Sequence, residues 1–311
     1  MVDWIKNIMV IHEDEALLLK AKVNYVDKRT KKEHKAGSTW MVKGPLDFIP
    51  DNEVEVVEKR KAQPLSENEG IYVRDLWSGE VKLVRGPQTY LLKEHEELWN
   101  KLMPNEIEQL VGLNSSGIDY IPAQVGAKGD VEYVYKQVPE RKNKYLAVTF
   151  KSPQNSAVQL YDYKNKSSRI VFGPELIMLE PYEEFTLITL SGGQPKVENQ
   201  IKTLSLLLGP DFMTDVIQVE TSDHAKLFLR LSYRWNFKID RDDEQQCKNL
   251  FSVRDFVGDA CKRISSRIRG AVSAVTFDNF HKYSTEVILN AIHKKDEQGN
   301  FKPFHIEANN L

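Results

Sequence analysis

Cysteine is scarce in this chain: Cys247 and Cys261 are the only two, and no CxxC pair occurs. That excludes a disulfide-stapled scaffold and leaves two reduced structural thiols as the reading. No run approaches the roughly 18 consecutive apolar residues of a transmembrane helix. The opening residues MVDWIKNIMV carry Asp3 and Lys6 and lack the charged-then-apolar layout of a signal peptide. An excess of one charge is missing too. Forty-three Lys and Arg against 45 Asp and Glu leave a net charge of −2, which argues against a chain whose work is gripping phosphate backbones.

Catalytic groupings are equally sparse. Leu190-Ser191-Gly192-Gly193-Gln194 spells the signature loop of ATP-binding-cassette ATPases, but that loop needs a GxxxxGK[ST] elsewhere. The nearest stretch, Gly112-Leu113-Asn114-Ser115-Ser116-Gly117, continues with Ile118-Asp119. The first motif therefore reads as a hairpin turn. The seven histidines are dispersed, none with ligand spacing, and His224 reads as a hydrogen-bonding group in a turn. No GxSxG elbow occurs. We expect no catalysis, no cofactor and no metal.

What is present is repetition. Glu13-Asp14-Glu15-Ala16-Leu17-Leu18-Leu19, Glu67-Asn68-Glu69-Gly70-Ile71-Tyr72-Val73 and Gln154-Asn155-Ser156-Ala157-Val158-Gln159-Leu160 share a beginning: a polar turn, a small residue, an apolar strand. Each unit ends in Gly-Pro: Gly44-Pro45, Gly86-Pro87 and Gly173-Pro174, with Gly209-Pro210 as a fourth instance. Proline cannot donate to a ladder, so Gly-Pro marks a strand end. Gly70 to Gly86 and Ala157 to Gly173 both span 16 residues, and Asp75 and Asp162 open hairpin turns between the strands. The first unit is longer, and the basic segment Lys28–Lys35 reads as its insertion. Glu94–Val111 has short helical potential broken by Pro104, and Asn114–Lys144 reads as a long loop.

The second half differs. Apolar residues fill every odd position of Leu227–Ile239 (Leu227, Leu229, Leu231, Tyr233, Trp235, Phe237 and Ile239), predicting a 13-residue half-buried strand. Ser252-Val253-Arg254-Asp255 looks like a capping box. Phe256, Ala260, Ile264, Ile268, Val272 and Val275 then form one helical stripe, with Lys262, Arg263 and Arg267 off it. With Arg254 and Arg269 they make a basic side that reads as solvated or subunit-facing. Leu229, Leu231, Tyr233, Trp235, Phe237, Phe256, Ala260, Ile264 and Ile268 are the expected core here. The fold class is multidomain: small antiparallel β repeats, then an α+β unit.

Several stretches resemble the major vault protein family, shell subunits of the vault ribonucleoprotein particle. They are Val171-Phe172-Gly173-Pro174, Leu206–Phe212, Thr214-Asp215-Val216-Ile217, Glu220–Ala225 and Leu250–Lys262. The resemblance implies vault-type β repeats over 1–57, 58–118 (with an insertion over 93–145) and 119–190, then a shoulder domain of stomatin-core type over 191–311. It implies a cytoplasmic, also nuclear, structural protein whose partners are copies of itself. Other vault proteins and vault RNA would be met through other regions, since the family continues into a cap helix and this chain reads as a fragment. The alternative is a peripheral membrane scaffold of the stomatin or flotillin kind, against which no anchor or acylation motif is present.

Overall fold

The computed structural model describes residues 8–125, 131–133, 141, 143–296, 298 and 300–306. The chain forms two compact units: Met1–Met103 with Arg141–Thr149 and Met178–Tyr182, and Pro104–Glu140 with Phe150–Ile177 and Glu183–Leu311.

The first unit contains one plan twice. Glu15–Ala21 lies between Thr39–Lys43 and Val54–Lys61, all antiparallel, and Met9–Ile11 pairs with Leu46–Phe48 in a separate ribbon. In the second copy Gly70–Asp75 lies between Val81–Arg85 and Glu96–Leu98, with Gln63–Leu65 on Gln88–Tyr90. The Gly-Pro therefore sits where the chain leaves the three-stranded sheet for the ribbon, at the strand ends where a missing donor is harmless. Each copy buries its own small apolar cluster: Ile11, Leu17, Leu19, Phe48 and Val54 in one, Leu65, Ile71, Val73 and Val84 in the other.

The second unit contains a third copy, Ser156–Asp162 between Ser167–Phe172 and Glu183–Phe185. Ser205–Leu207 adds to the start of its first strand. A long hairpin follows, Asp211–Glu220 with Lys226–Trp235, ten pairs without a register shift. Helices α1 (Asn105–Asn114), α2 (Glu244–Asn249), α3 (Phe256–Val272) and α4 (Phe277–Ile292) complete the unit. Ile264, Ile268 and Val272 of α3 and Phe280 and Ile292 of α4 bury against Ile217 and Val219 of the hairpin.

Several expectations need correction. The basic segment of the first repeat is not an insertion. Asp27–Lys31 is a tip of the same kind as Asp75–Gly79. The extra length is shared by both arms: Ala16 precedes Asp27 by 11 residues, against 5 from Gly70 to Asp75, and Asp27 precedes Gly44 by 17, against 11. The chain from 114 is not loop throughout, since Tyr120–Val125 pairs with both Val197–Thr203 and Val131–Tyr133; residues 126–130 and 134–140 lie outside the described residues. Pro104 does not break a helix but precedes one, as the residue before α1, a place where a missing N–H costs nothing. Glu96–Leu98, expected to be helical, is a strand because it completes the sheet of the second repeat.

The long strand stops at Trp235 rather than Ile239. The alternation continues, but Phe237 and Ile239 pack in a different cluster with Ala157, Ile188 and Leu206 of the same unit. There the N–H of Phe237 donates to the carbonyl of Leu208 (2.9 Å). The cap of α3 is Asp255, not Ser252, whose hydroxyl instead donates to the carbonyl of Asn249 (2.7 Å).

Candidate functional site

For a repeat protein, the candidate site is the set of devices that hold and present the repeats. The first device is the Gly-Pro stop. All four Gly-Pro bonds are cis, as is Gln194-Pro195. The N–H of Gly44, Gly86 and Gly173 donates to the carbonyl of Glu15, Glu69 and Ser156, respectively. A Cβ on these glycines would lie 2.0, 1.9 and 1.9 Å from the carbonyl oxygens of His12, Ser66 and Pro153, closer than any real contact. Glycine is thus required by the turn that starts the neighbouring strand. In the first two copies Glu15 and Glu69 reach back to accept from the N–H of His12 and Ser66 (2.9 Å each). Pro153 has no N–H to offer, and the third copy carries Ser156 instead, whose hydroxyl donates to the carbonyl of Pro153 (2.6 Å). Gly209 differs from the other three: its φ is +82°, and the nearest atom to its Cβ would be the carbonyl oxygen of Trp235 at 2.8 Å.

The second device lies between the hairpin and the third strand. Glu96, with its side chain 1% exposed, accepts from Lys82 Nζ (2.6 Å), the Tyr90 hydroxyl (2.7 Å) and the N–H of Lys93 (3.1 Å). Burial opposes its ionisation, but these three donors outweigh burial and hold the carboxyl below its ordinary value. Glu183 repeats the arrangement with a two-pronged Arg169 (2.5 and 2.9 Å).

The third device is the hairpin tip. Asp75 accepts from the N–H of Trp77 and of Ser78, and Asp162 from the N–H of Lys164 and of Asn165. Asp27 accepts from the N–H of Arg29 and the hydroxyl of Thr30. The fourth residue after each aspartate (Lys31, Gly79 and Lys166) has positive φ.

The Leu190–Gln194 stretch runs from the end of strand Ile188–Gly192 into a turn that leads to Val197. The N–H and hydroxyl of Ser191 donate to Asp255 (2.9 and 2.5 Å), which also caps α3 through the N–H of Gly258 (2.9 Å). The motif is structural: it seats the helix start on a hairpin. Likewise Asp223 accepts from the N–H of Phe277 (3.0 Å), so the turn of the long hairpin caps α4. No spacing rule flagged Asp223, because its partner lies 54 residues on.

Of the expected shoulder core, Ala260, Ile264 and Ile268 are buried. Leu229, Leu231 and Tyr233 are half-buried beside Ile264 and Ile268. Trp235, Phe237 and Phe256 meet edge-to-face, with centroids 5.2–5.7 Å apart. Much of the basic side of α3 is engaged within the unit. Lys262 pairs with Glu198, Arg263 with Asp259 (2.9 Å), Arg269 donates to the carbonyl of Gln218 (3.1 Å), and Arg267 stacks over Phe304. Both cysteines are buried and free. Burial, then Asp215, pushes the Cys261 thiol up to about 11, so it is not a nucleophile near neutral pH. His224 is exposed and hydrogen-bonded to Glu220 (2.8 Å). Among the described residues no group of three metal-ligating side chains occurs.

Comparison with known proteins bears on the same stretches. Models of major vault protein repeat domains match residues 9–51, 62–120 and 147–208, and the shoulder domain model matches 209–311. Major vault protein alpha of Dictyostelium discoideum is 49% identical over 309 residues, covering 99% of this chain and 34% of the relative. The major vault protein of Strongylocentrotus purpuratus is 46% identical, over 94% of this chain and 34% of its own. That of Homo sapiens is 47% identical, over 93% and 32%. The chain spans about a third of the length of these relatives. With three repeats of one plan followed by a matched shoulder, the chain belongs to the major vault protein family.

Proposed function

We propose that this chain is part of the shell subunit of a vault particle and works by lateral packing of copies into a hollow cage, without catalysis. The observation that carries this is near-half identity along nearly the whole chain to proteins named major vault protein. Three repeats of one plan support it, because units such as the first two, which each bury only a small cluster of their own, suit side-by-side packing. Vault RNA and other vault proteins would bind through other regions, and the working location would be the cytoplasm, with the nucleus second.

Electron microscopy tests the reading. The chain extended by the region that follows the shoulder in its relatives should give hollow barrels. Monomers at every concentration, or rings formed only on added liposomes, would overturn it; the latter would favour a membrane scaffold.

A further inference from the structure

Much of the charge on α3 is engaged within the unit, but that of the long hairpin is not. Side chains of Lys226–Trp235 alternate between faces, and the exposed face carries Lys226, Phe228, Arg230 and Arg234. Phe212, opposite Arg234 in the register, shares it. Phe228 is 73% exposed and Phe212 65%. The Gln194 side chain clamps the middle of this face, donating to the Thr214 hydroxyl and accepting from Arg230 (2.8 Å). The side chains of Lys226 and Arg234 have no partner among the described residues. The acid of this face, Glu220 opposite Lys226, is bound to His224 (2.8 Å). Two exposed rings set among three cations form a surface for an acidic partner.

The same unit carries a matching patch. Asp240, Asp242, Asp243 and Glu244 fall within five residues. They act on one point: burial first, then these four carboxylates, push the Cys247 thiol up. Asp240 and Asp242 are exposed, and no cation pairs with them among the described residues. Arg241, between them, lies over the ring of Phe172 (5.1 Å), and Lys248 is taken by Glu244 (2.7 Å). We propose that the acidic run 240–244 of one copy docks on the exposed hairpin face of a second copy. This rests on the cage reading and adds to it a lateral contact. Face and run are different patches, so the contact is head-to-tail, the kind that propagates into rings rather than closing as a dimer. Both belong to the second compact unit, so the contact requires no slip of one copy along the repeats of the next.

Sedimentation velocity over a concentration series of the whole chain tests this. Arg230→Glu with Arg234→Glu, and separately Asp240→Lys with Asp242→Lys, should each weaken self-association at least about tenfold. Added salt should weaken that of the wild type. An equal mixture of the two variants should recover association, because each supplies the patch that matches the other's reversed one. Loss of folding would give no such recovery. Variants that associate like the wild type, or a mixture no stronger than its components, would overturn the proposal and leave the cage reading standing. So would a wild type that stays monomeric at all concentrations, since the cage reading is tested on the extended chain.

Discussion

Glu96 and Val54 occupy the same place in successive repeats, nine residues after the proline of the Gly-Pro stop. Their hairpin partners change with them: Lys82 and Trp40 both stand four residues before the glycine, and Tyr90 and Phe48 both three after the proline. One repeat fills the site with a hydrogen-bonded ion pair, the other with an apolar trio, of which Val54 and Phe48 are buried and Trp40 packs against them. Arg169 and Glu183 take the ionic solution again. Such exchange follows from desolvation nearly cancelling the attraction of a buried pair, so that an apolar replacement of similar volume is tolerated.

Breaking the pair should therefore cost more than replacing it. Lys82→Met leaves the buried Glu96 carboxylate without its cation, held only by the Tyr90 hydroxyl and the N–H of Lys93. It should destabilise by roughly 2–3 kcal/mol, below the ~3–5 of a fully buried pair because the Lys82 side chain is half exposed. Lys82→Met with Glu96→Leu should recover most of that loss. Urea unfolding of the double-mutant cycle measures the difference.

The same carboxyl sets a pH dependence. Its folded value lies below the unfolded value of about 4.3. The network's contribution is then fully present above that pH and is lost as pH falls through the folded value. Acid unfolding followed by circular dichroism should show a shallower loss of stability as the pH falls below about 5 in Glu96→Gln than in the wild type.

Glycine requirements separate by place. Gly86→Ala puts a methyl 1.9 Å from the carbonyl of Ser66, and something in the turn has to move. It should destabilise the second repeat by several kcal/mol or prevent its folding. Gly270→Ala in α3 meets nothing within 4 Å and should stabilise by up to about 1 kcal/mol. Thermal melts of the two variants should move in opposite directions.

Asp255 and Ser252 offer a clean contrast at the start of α3. Asp255→Ala removes the acceptor for Ser191 and for the N–H of Gly258, and should cost about 1–3 kcal/mol. Ser252→Ala should change stability by about 0.5 kcal/mol or less, because its exposed hydroxyl bonds only the preceding turn. Equal losses in chemical denaturation would return the cap to Ser252.

By itself the sequence determined the repeats and the family. The Gly-Pro stops, the polar turns and the strand alternation depend on local chemistry: a proline that cannot donate, a glycine without Cβ, a side-chain period of two. The apolar stripe of α3 was legible for the same reason. What only the tertiary structure decided depends on partners distant in the chain. Ser252 and Asp255 are equally good caps on paper; Ser191, 64 residues earlier, selects Asp255. Nothing local ends the long strand at Trp235, since its alternation runs on to Ile239. It ends there because its partner begins at Asp211, leaving Phe237 and Ile239 to pack elsewhere. Glu96 reads as one more charged residue in a polar stretch until the fold closes Lys82 and Tyr90 over it. Burial is a property of the assembled sheet, and no window of sequence contains it.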